Sequence, residues 1–245
     1  MTEKKPLQFR YLDILIVLFV TVLVTSNVAS SAKIIGLDFS FIGIRLAFDG
    51  GTLLFPLAYI AGDLLTEVYG FRIARRAIWT GFMALSISAF FFFLLNLLPG
   101  EPSWETMAGR AAYEAILGGM STGGIVLASL FGYLAGNFSN SVILSRMKVL
   151  MKGRLLWVRT IGSSIIGELL DSFIFVSIAV LTKVFPREIF AALVITNYLL
   201  KLLVEILFTP VCYLAVHKFK KAEGTDQAPL DVYDYGEKYN PFGRK

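Results

Sequence analysis

Ile166-Gly167-Glu168-Leu169-Leu170-Asp171-Ser172 sets two carboxylates in the middle of an apolar run, residues 157–182. About 20 helical residues at 1.5 Å each span the hydrocarbon of a bilayer, so the run is long enough to cross it. An acid near the centre of such a helix costs about 2.5–3.5 kcal/mol on insertion scales. Three residues apart, Glu168 and Asp171 project from one helical face. That face is tolerable only where it meets protein or water, and a polar substrate or an ion is the usual reason to keep it. The stretch predicts a membrane carrier in which this face lines the path.

Outward from there, the chain repeats the pattern. Of its 245 residues 56% are hydrophobic and 17% charged, and the charges fall between apolar blocks of spanning length. The mean hydropathy is +0.69. A soluble domain would scatter charges along every helix and strand. The expected fold is an all-α polytopic membrane protein with six transmembrane helices. The spans are Leu12 to about Ala32, Gly50 to Tyr69, Ala77 to Leu98, one within 115–142, then 157–182, and Ile189 to Val216. Residues 12–217 thus form the membrane domain, 1–11 a cytoplasmic N-terminus and 218–245 a flexible cytoplasmic tail. The basic start and Ala29-Ser30-Ser31-Ala32 also fit a cleaved signal peptide, but the length of the first run favours a span.

Between the spans, residues 33–48 alternate around Asp38, Ser40, Gly43 and Arg45 and predict a short hairpin-like loop after the first helix. Pro99–Glu114 reads as a polar loop, and the Phe-rich third span as lipid-facing. Gly119/Gly123 and Gly132/Gly136 predict close helix contacts. Pro210 predicts a kink in the last span.

A net charge of +5 would suggest nucleic acid in a soluble protein. Here the lysines and arginines cluster on one side: Lys4, Lys5, Arg10; Arg72, Arg75, Arg76; Arg146, Lys148, Lys152, Arg154, Arg159; Lys218, Lys220, Lys221. The other side receives Lys33, Arg45, Arg110, Lys183 and Arg187. They read as topology determinants that place both termini in the cytoplasm, with no nucleic-acid partner. A single cysteine, Cys212, and a single histidine, His217, leave no intramolecular disulfide and no multi-Cys or multi-His metal site. No metal or cofactor is expected.

Three spans carry close ionisable pairs: Asp63/Glu67, Glu168/Asp171 and Lys201/Glu205. Lys201 is expected to pair with Glu168 or Asp171, and Glu67 has the nearby Arg72, Arg75 and Arg76 as a purely structural alternative. One cation does not neutralise Glu168, Asp171 and Glu205 together. The surplus must bind something positive, accept paired N–H donors or hold a proton. Asn27, deep in the first span, also needs a partner. The candidate substrate-binding set is Asn27, Asp63, Glu67, Glu168, Asp171, Lys201 and Glu205. Residues 60–67 align with 165–172 in the middle spans of two three-span halves, which suggests an inverted 3+3 repeat.

Two rival classes are weaker. An intramembrane aspartyl protease needs two acids sharing a proton, and its Gly-x-Gly-Asp element is missing before Asp63. His217 at a helix end does not serve a serine protease, so no catalytic residue is assigned and the chain is not expected to be an enzyme. A substrate-binding membrane subunit of an ATP-driven vitamin importer remains open. The chain has no P-loop, so the ATPase would be a separate partner.

Several stretches together resemble one family. They are Ser26-Asn27, Gly51-Thr52-Leu53-Leu54-Phe55-Pro56-Leu57, Asp63, Glu67-Val68-Tyr69-Gly70, Arg75-Arg76, Gly167-Glu168, Asp171-Ser172, and Lys201 ahead of Glu205 and Pro210. Over residues 10–216 the chain resembles the queuosine precursor transporters, bacterial six-span inner-membrane proteins also grouped as vitamin uptake transporters. The resemblance implies import of the 7-deazaguanine bases preQ0 and preQ1 for salvage into a modified tRNA nucleoside. Such a base presents N1–H and an exocyclic amine side by side, which one carboxylate accepts as a bidentate pair. Glu168 or Asp171 suits that edge, the other acid suits an aminomethyl cation, and Asn27 adds a donor and an acceptor. Tyr59, Phe173 and Tyr198 are stacking candidates, though packing is their simpler role. The expected partners are the small-molecule substrate and membrane lipid, with a homo-oligomer or an energising partner left open.

Overall fold

The computed structural model describes residues 9–41, 44–121, 124–182 and 187–225. Lys4, Lys5, Gly43, Gly123, Lys183 and residues 226–245, all used in the expectations above, lie outside them. In chain order the elements are α1 (Leu12–Ala32), β1 (Ile34–Phe41), β2 (Ile44–Asp49), a 3-10 turn (Gly50–Leu53), α2 (Phe55–Tyr69) and α3 (Phe71–Leu97). Then come α4 (Pro102–Met107), α5 (Gly109–Ser121), α6 (Gly124–Leu150), α7 (Leu156–Leu181), a short 3-10 turn (Arg187–Ile189) and α8 (Phe190–Glu223).

Among the described residues five helices are long and apolar enough to cross a membrane: α1, α3, α6, α7 and α8. The expected second span is shorter. Its helix α2 has 15 residues, or about 22 Å at 1.5 Å per residue, less than the roughly 30 Å hydrocarbon layer. The preceding stretch is taken by the 3-10 turn, whose Gly50 lies against the end of α1. A Cβ there would meet Ala29 O at 2.7 Å. What α2 lacks in length it makes up in enclosure, since every residue from Asp63 to Tyr69 is buried. Gly70, at φ 86°, lets the chain pass directly from α2 into α3.

The hairpin-like loop is a real antiparallel hairpin. Its register runs from Ile34↔Asp49 to Phe41↔Ile44, with an irregularity between Gly36 and Ser40. The Phe-rich span behaves as expected of a lipid-facing helix: Met83, Ile87, Phe90, Phe91 and Phe93 on α3 are all exposed. With no charge along that face, hydrocarbon is its natural solvent.

The tightest helix pair is α6 with α7. Gly132 and Gly136, one helical turn apart, let α7 approach until there is no room for a methyl group. A Cβ on Gly136 would lie 2.7 Å from Asp171 Cβ and 3.0 Å from Gly167 O. One on Gly167 would lie 2.9 Å from Asn140 Cβ. The small-residue spacing of α6 is a contact motif, and it sets where Asp171 stands.

Three expectations need correction. Pro99–Glu114 is largely helical, not a loop. Glu101 caps α4 by accepting from the N–H groups of Ser103 at 2.9 Å and Trp104 at 3.0 Å. Those bonds, with one from the Ser103 hydroxyl, hold its carboxyl below the usual carboxylate range. An acid followed by proline at the first helical position is a start signal. Second, the basic stretch 146–159, read as the loop between the fourth and fifth spans, is mostly helix, with Arg146 and Lys148 in α6 and Arg159 in α7. Third, the tail does not begin at 218, because α8 continues to Glu223. Glu223 ties this end down by accepting from Arg10 N–H at 2.8 Å, Tyr11 N–H at 2.7 Å and the Tyr69 hydroxyl at 2.9 Å.

Candidate functional site

The polar residues recur every three or four positions, so each helix presents them as a stripe. On α2 the stripe is Tyr59, Asp63, Glu67; on α7 it is Ser164, Glu168, Asp171; on α8 it is Asn197, Lys201, Glu205. Partners climb one helix as they descend the other. Tyr59 meets Asp171 while Glu67 meets Arg159, and Lys201 meets Asp171 while Glu205 meets Ser164. The stripe of α7 therefore runs antiparallel to both the others and forms a polar stack, about 6 Å per rung at four residues of rise.

At one end the stack opens into a cavity of about 600 Å³ of empty space, its mouth included. Asn27 of α1, Tyr59 of α2, Tyr133 and Asn137 of α6, Asp171 and Phe175 of α7, and Asn197 and Lys201 of α8 are among its walls. Lys201 Nζ donates to Asp171 Oδ2 at 2.5 Å, and the Tyr59 hydroxyl adds a longer bond to the same oxygen at 3.4 Å. Asn27 Nδ2 is committed to Leu23 O at 2.9 Å, and Asn197 Oδ1 is buried without a partner. An anion, a cation and amides on one wall can read a planar heterocycle that has both donors and acceptors.

The next rung is closed. Asp63 Oδ1 accepts from Asn140 Nδ2 at 2.9 Å, and Ser164 donates to Glu205 Oε1. Glu168 is 0% exposed, and neither of its oxygens has a hydrogen-bond partner.

The far end is a charge hub around Glu67, itself 1% exposed. Arg159 donates to both its oxygens, and Lys220 Nζ donates to Oε1 at 2.6 Å. Lys148 Nζ donates to the Glu67 carbonyl at 2.6 Å and lies 3.6 Å from Oε1. Three residues counted as topology determinants are thus turned inward. Glu67 takes them in place of Arg72, Arg75 or Arg76.

The structure therefore brings Asn27, Asp171 and Lys201 of the candidate set to one cavity. It sets Asp63, Glu168 and Glu205 behind that cavity and Glu67 at the opposite end. Of the stacking candidates only Tyr59 is on the wall. Phe173 is half-exposed and packs edge-on to Phe190, while Phe175 and Tyr133 line the cavity instead. Asn137, Asn140 and Ser164 escaped the sequence reading. Their signal was polar residues at membrane depth on the faces that the glycines of α6 press against α7.

A cavity that carries a buried ion pair on its wall, among helices long and apolar enough to cross a membrane, fits a multi-pass membrane transporter. Residues 49–215 match the family described as "Putative vitamin uptake transporter", and the chain belongs to that family. It is similar to the "Probable queuosine precursor transporter" of Bacillus subtilis strain 168, 28% identical over 80% of each chain. It is also similar to a protein of the same description from Haemophilus influenzae, 29% identical over 65% of each. The "Queuosine precursor transporter" of Escherichia coli K12 is 24% identical over 74% of this chain and 77% of its own. No solved structure matches.

Proposed function

We propose that this protein imports queuosine precursors, the 7-deazaguanines preQ0 and preQ1, across the bacterial inner membrane. The observation that supports it beyond the relatives' names is the Asp171–Lys201 pair on the cavity wall. Asp171 can accept the N1–H and exocyclic amine of the base, and Lys201 can donate to its carbonyl oxygen. Asn27 and Asn197 serve the remaining edge, and Tyr59 lies within reach of the ring. Asp63, Glu168 and Glu205 act from the layer behind, and Glu67 from the far end.

In this reading α2, with the turn and hairpin before it, completes six crossings, and residues 60–67 and 165–172 are the matched halves of an inverted repeat. The lysine and arginine excess places both termini inside. The cavity then faces the outside, because Asn27 lies late in α1 and Asn197 early in α8. The Glu67 hub closes the cytoplasmic side.

The test uses a host unable to make the precursor, supplied with a low external concentration. Queuosine in tRNA should appear only with this gene, and Asp171→Asn should abolish it while membrane expression persists. Salvage that requires a co-expressed ATPase would favour an importer subunit instead. Normal salvage in the variant would remove Asp171 from substrate binding.

A further inference from the structure

The middle rung of the stack has more negative charge than the structure neutralises. Asp63, Glu168 and Glu205 lie in this layer, while Asp171, on the cavity wall, takes Lys201. Asp63 has a neutral amide donor, Asn140. Glu205 Oε1 has a neutral hydroxyl donor, Ser164, and Oε2 has none. Glu168, fully buried, has none at either oxygen. Ser164, one helical turn before Glu168 on the same face of α7, donates to Glu205, so the two carboxyls are set side by side. Two carboxylates in contact in a dry interior do not both stay ionised, whereas one acid donating its proton to the other satisfies both. Among the described residues no three metal-ligating side chains cluster, so a divalent ion has no cage.

We propose that Glu168 and Glu205 form a proton-binding site that couples substrate import to inward proton movement. The proposal rests on the transport reading above and adds its driving ion. The groups facing the pair come from each helix around it. They are Asp171 from α7, Lys201, Tyr198 and Cys212 from α8, Tyr59 and Asp63 from α2, and uncharged Asn140 from α6.

Lys201 is the coupling element, because its ammonium binds Asp171 and is also within electrostatic range of Glu168. With one proton on the pair, Asp171 is the stronger attraction for the ammonium, which is the partner Lys201 has, and the cavity keeps both its anion and its cation. When the proton leaves, the pair carries two charges and draws Lys201 back. Asp171 then loses its partner and the substrate site loses its donor. Proton and substrate therefore bind in mutual support, which is the sign required for symport. The proton enters from the outer cavity with the substrate and leaves on the cytoplasmic side.

The first test needs no variant. In proteoliposomes an acid-outside gradient should accumulate tritiated preQ1 several-fold above equilibrium, and a sodium gradient should not. The apparent affinity should rise as pH falls. Exchange of preQ1 without gradient response, or with sodium-driven accumulation, overturns proton coupling while leaving the transport reading intact. No preQ1 movement under any condition overturns the transport reading instead. The second test is independent of cargo. Infrared spectra of the purified protein at neutral pH should show the carbonyl band of a protonated carboxyl, lost or shifted in both Glu168→Gln and Glu205→Gln. A band untouched by both and removed by Asp63→Asn places the proton elsewhere, and no band at all ends the proposal.

Discussion

Glu67 and Glu168 are the same side chain at nearly the same burial, yet their surroundings are opposite. Glu67 is encircled by Arg159, Lys148 and Lys220. Glu168 has no donor from another residue. Both were anomalies in an apolar chain, and the sequence reading gave them the same task. The difference shows that a buried acid signals function through what it lacks. One saturated with cations has its charge already answered and acts as a fastener, so that end of the molecule is shut. One left unanswered keeps its capacity for a proton, and it lies directly behind a cavity.

The strongest way to break this contrast is to neutralise each acid in turn. Glu67→Gln leaves three cations facing no carboxylate, and breaking a buried ion pair in this way costs about 3–5 kcal/mol. The melting temperature of the purified protein should fall sharply, and its membrane yield with it. Glu168→Gln replaces a carboxyl that no other residue's N–H or ammonium hydrogen-bonds and should melt no lower than the parent. Were Glu168→Gln the unstable one, the roles assigned to the two ends would be reversed.

Next comes the cavity pair itself. A charge-assisted hydrogen bond contributes about 1.5–3 kcal/mol, so Asp171→Asn or Lys201→Met should weaken preQ1 uptake by roughly 10- to 150-fold. Each variant also strands its partner. The double variant should therefore recover stability relative to Asp171→Asn while remaining inactive, which separates folding from recognition. Parental uptake in all three would show that the cavity charges do not read the substrate.

Much of this arrangement could be read from the chain. Acids at helical spacing within apolar runs located the stack, and two glycines four apart located the contact that positions it. The pairing could not be read, for a physical reason. Lysine and arginine have long flexible stems, so Lys148 and Lys220 near helix ends can turn to solvent or reach back to Glu67. Hydropathy treats the two outcomes alike. Arg159, at the start of the expected span 157–182, was counted with the topology determinants because it follows Lys148, Lys152 and Arg154. The shortness of α2 was equally hidden, since Gly50-Gly51-Thr52 is apolar enough to extend a hydropathy window but turns as 3-10.

A smaller perturbation tests how the cavity end is held. Where Glu67 is fixed by ions, Asp171 is fixed partly by the bare backbone of α6. Gly136→Ala would force its new methyl into Asp171 Cβ, and overpacking of this kind costs about 1–3 kcal/mol. Uptake should fall along with melting temperature, whereas Gly62→Ala should change neither, since its nearest side-chain atoms are at 3.8 Å. An unaffected Gly136→Ala would mean that α6 and α7 are free to separate.

The finest test uses two hydroxyls. Tyr59 donates to Asp171 at the cavity, and Tyr69 donates to Glu223 at the closed end. At 3.4 Å the Tyr59 bond is long and weak, and at 2.9 Å the Tyr69 bond is of ordinary length. A neutral hydrogen bond is worth about 0.5–1.5 kcal/mol net, and Tyr59 belongs at the low end of that range. Tyr59→Phe should raise the apparent KM for preQ1 a few-fold and leave the melting temperature alone, because the bond serves an acid that substrate is meant to engage. Tyr69→Phe should do the reverse, lowering the melting temperature slightly while KM stays put, because Glu223 also accepts from the backbone of Arg10 and Tyr11 and so ties the end of α8 to the approach to α1. If the phenotypes were exchanged, the end described as closed would be the one that meets the substrate, and the direction of opening assigned to this molecule would have to be inverted.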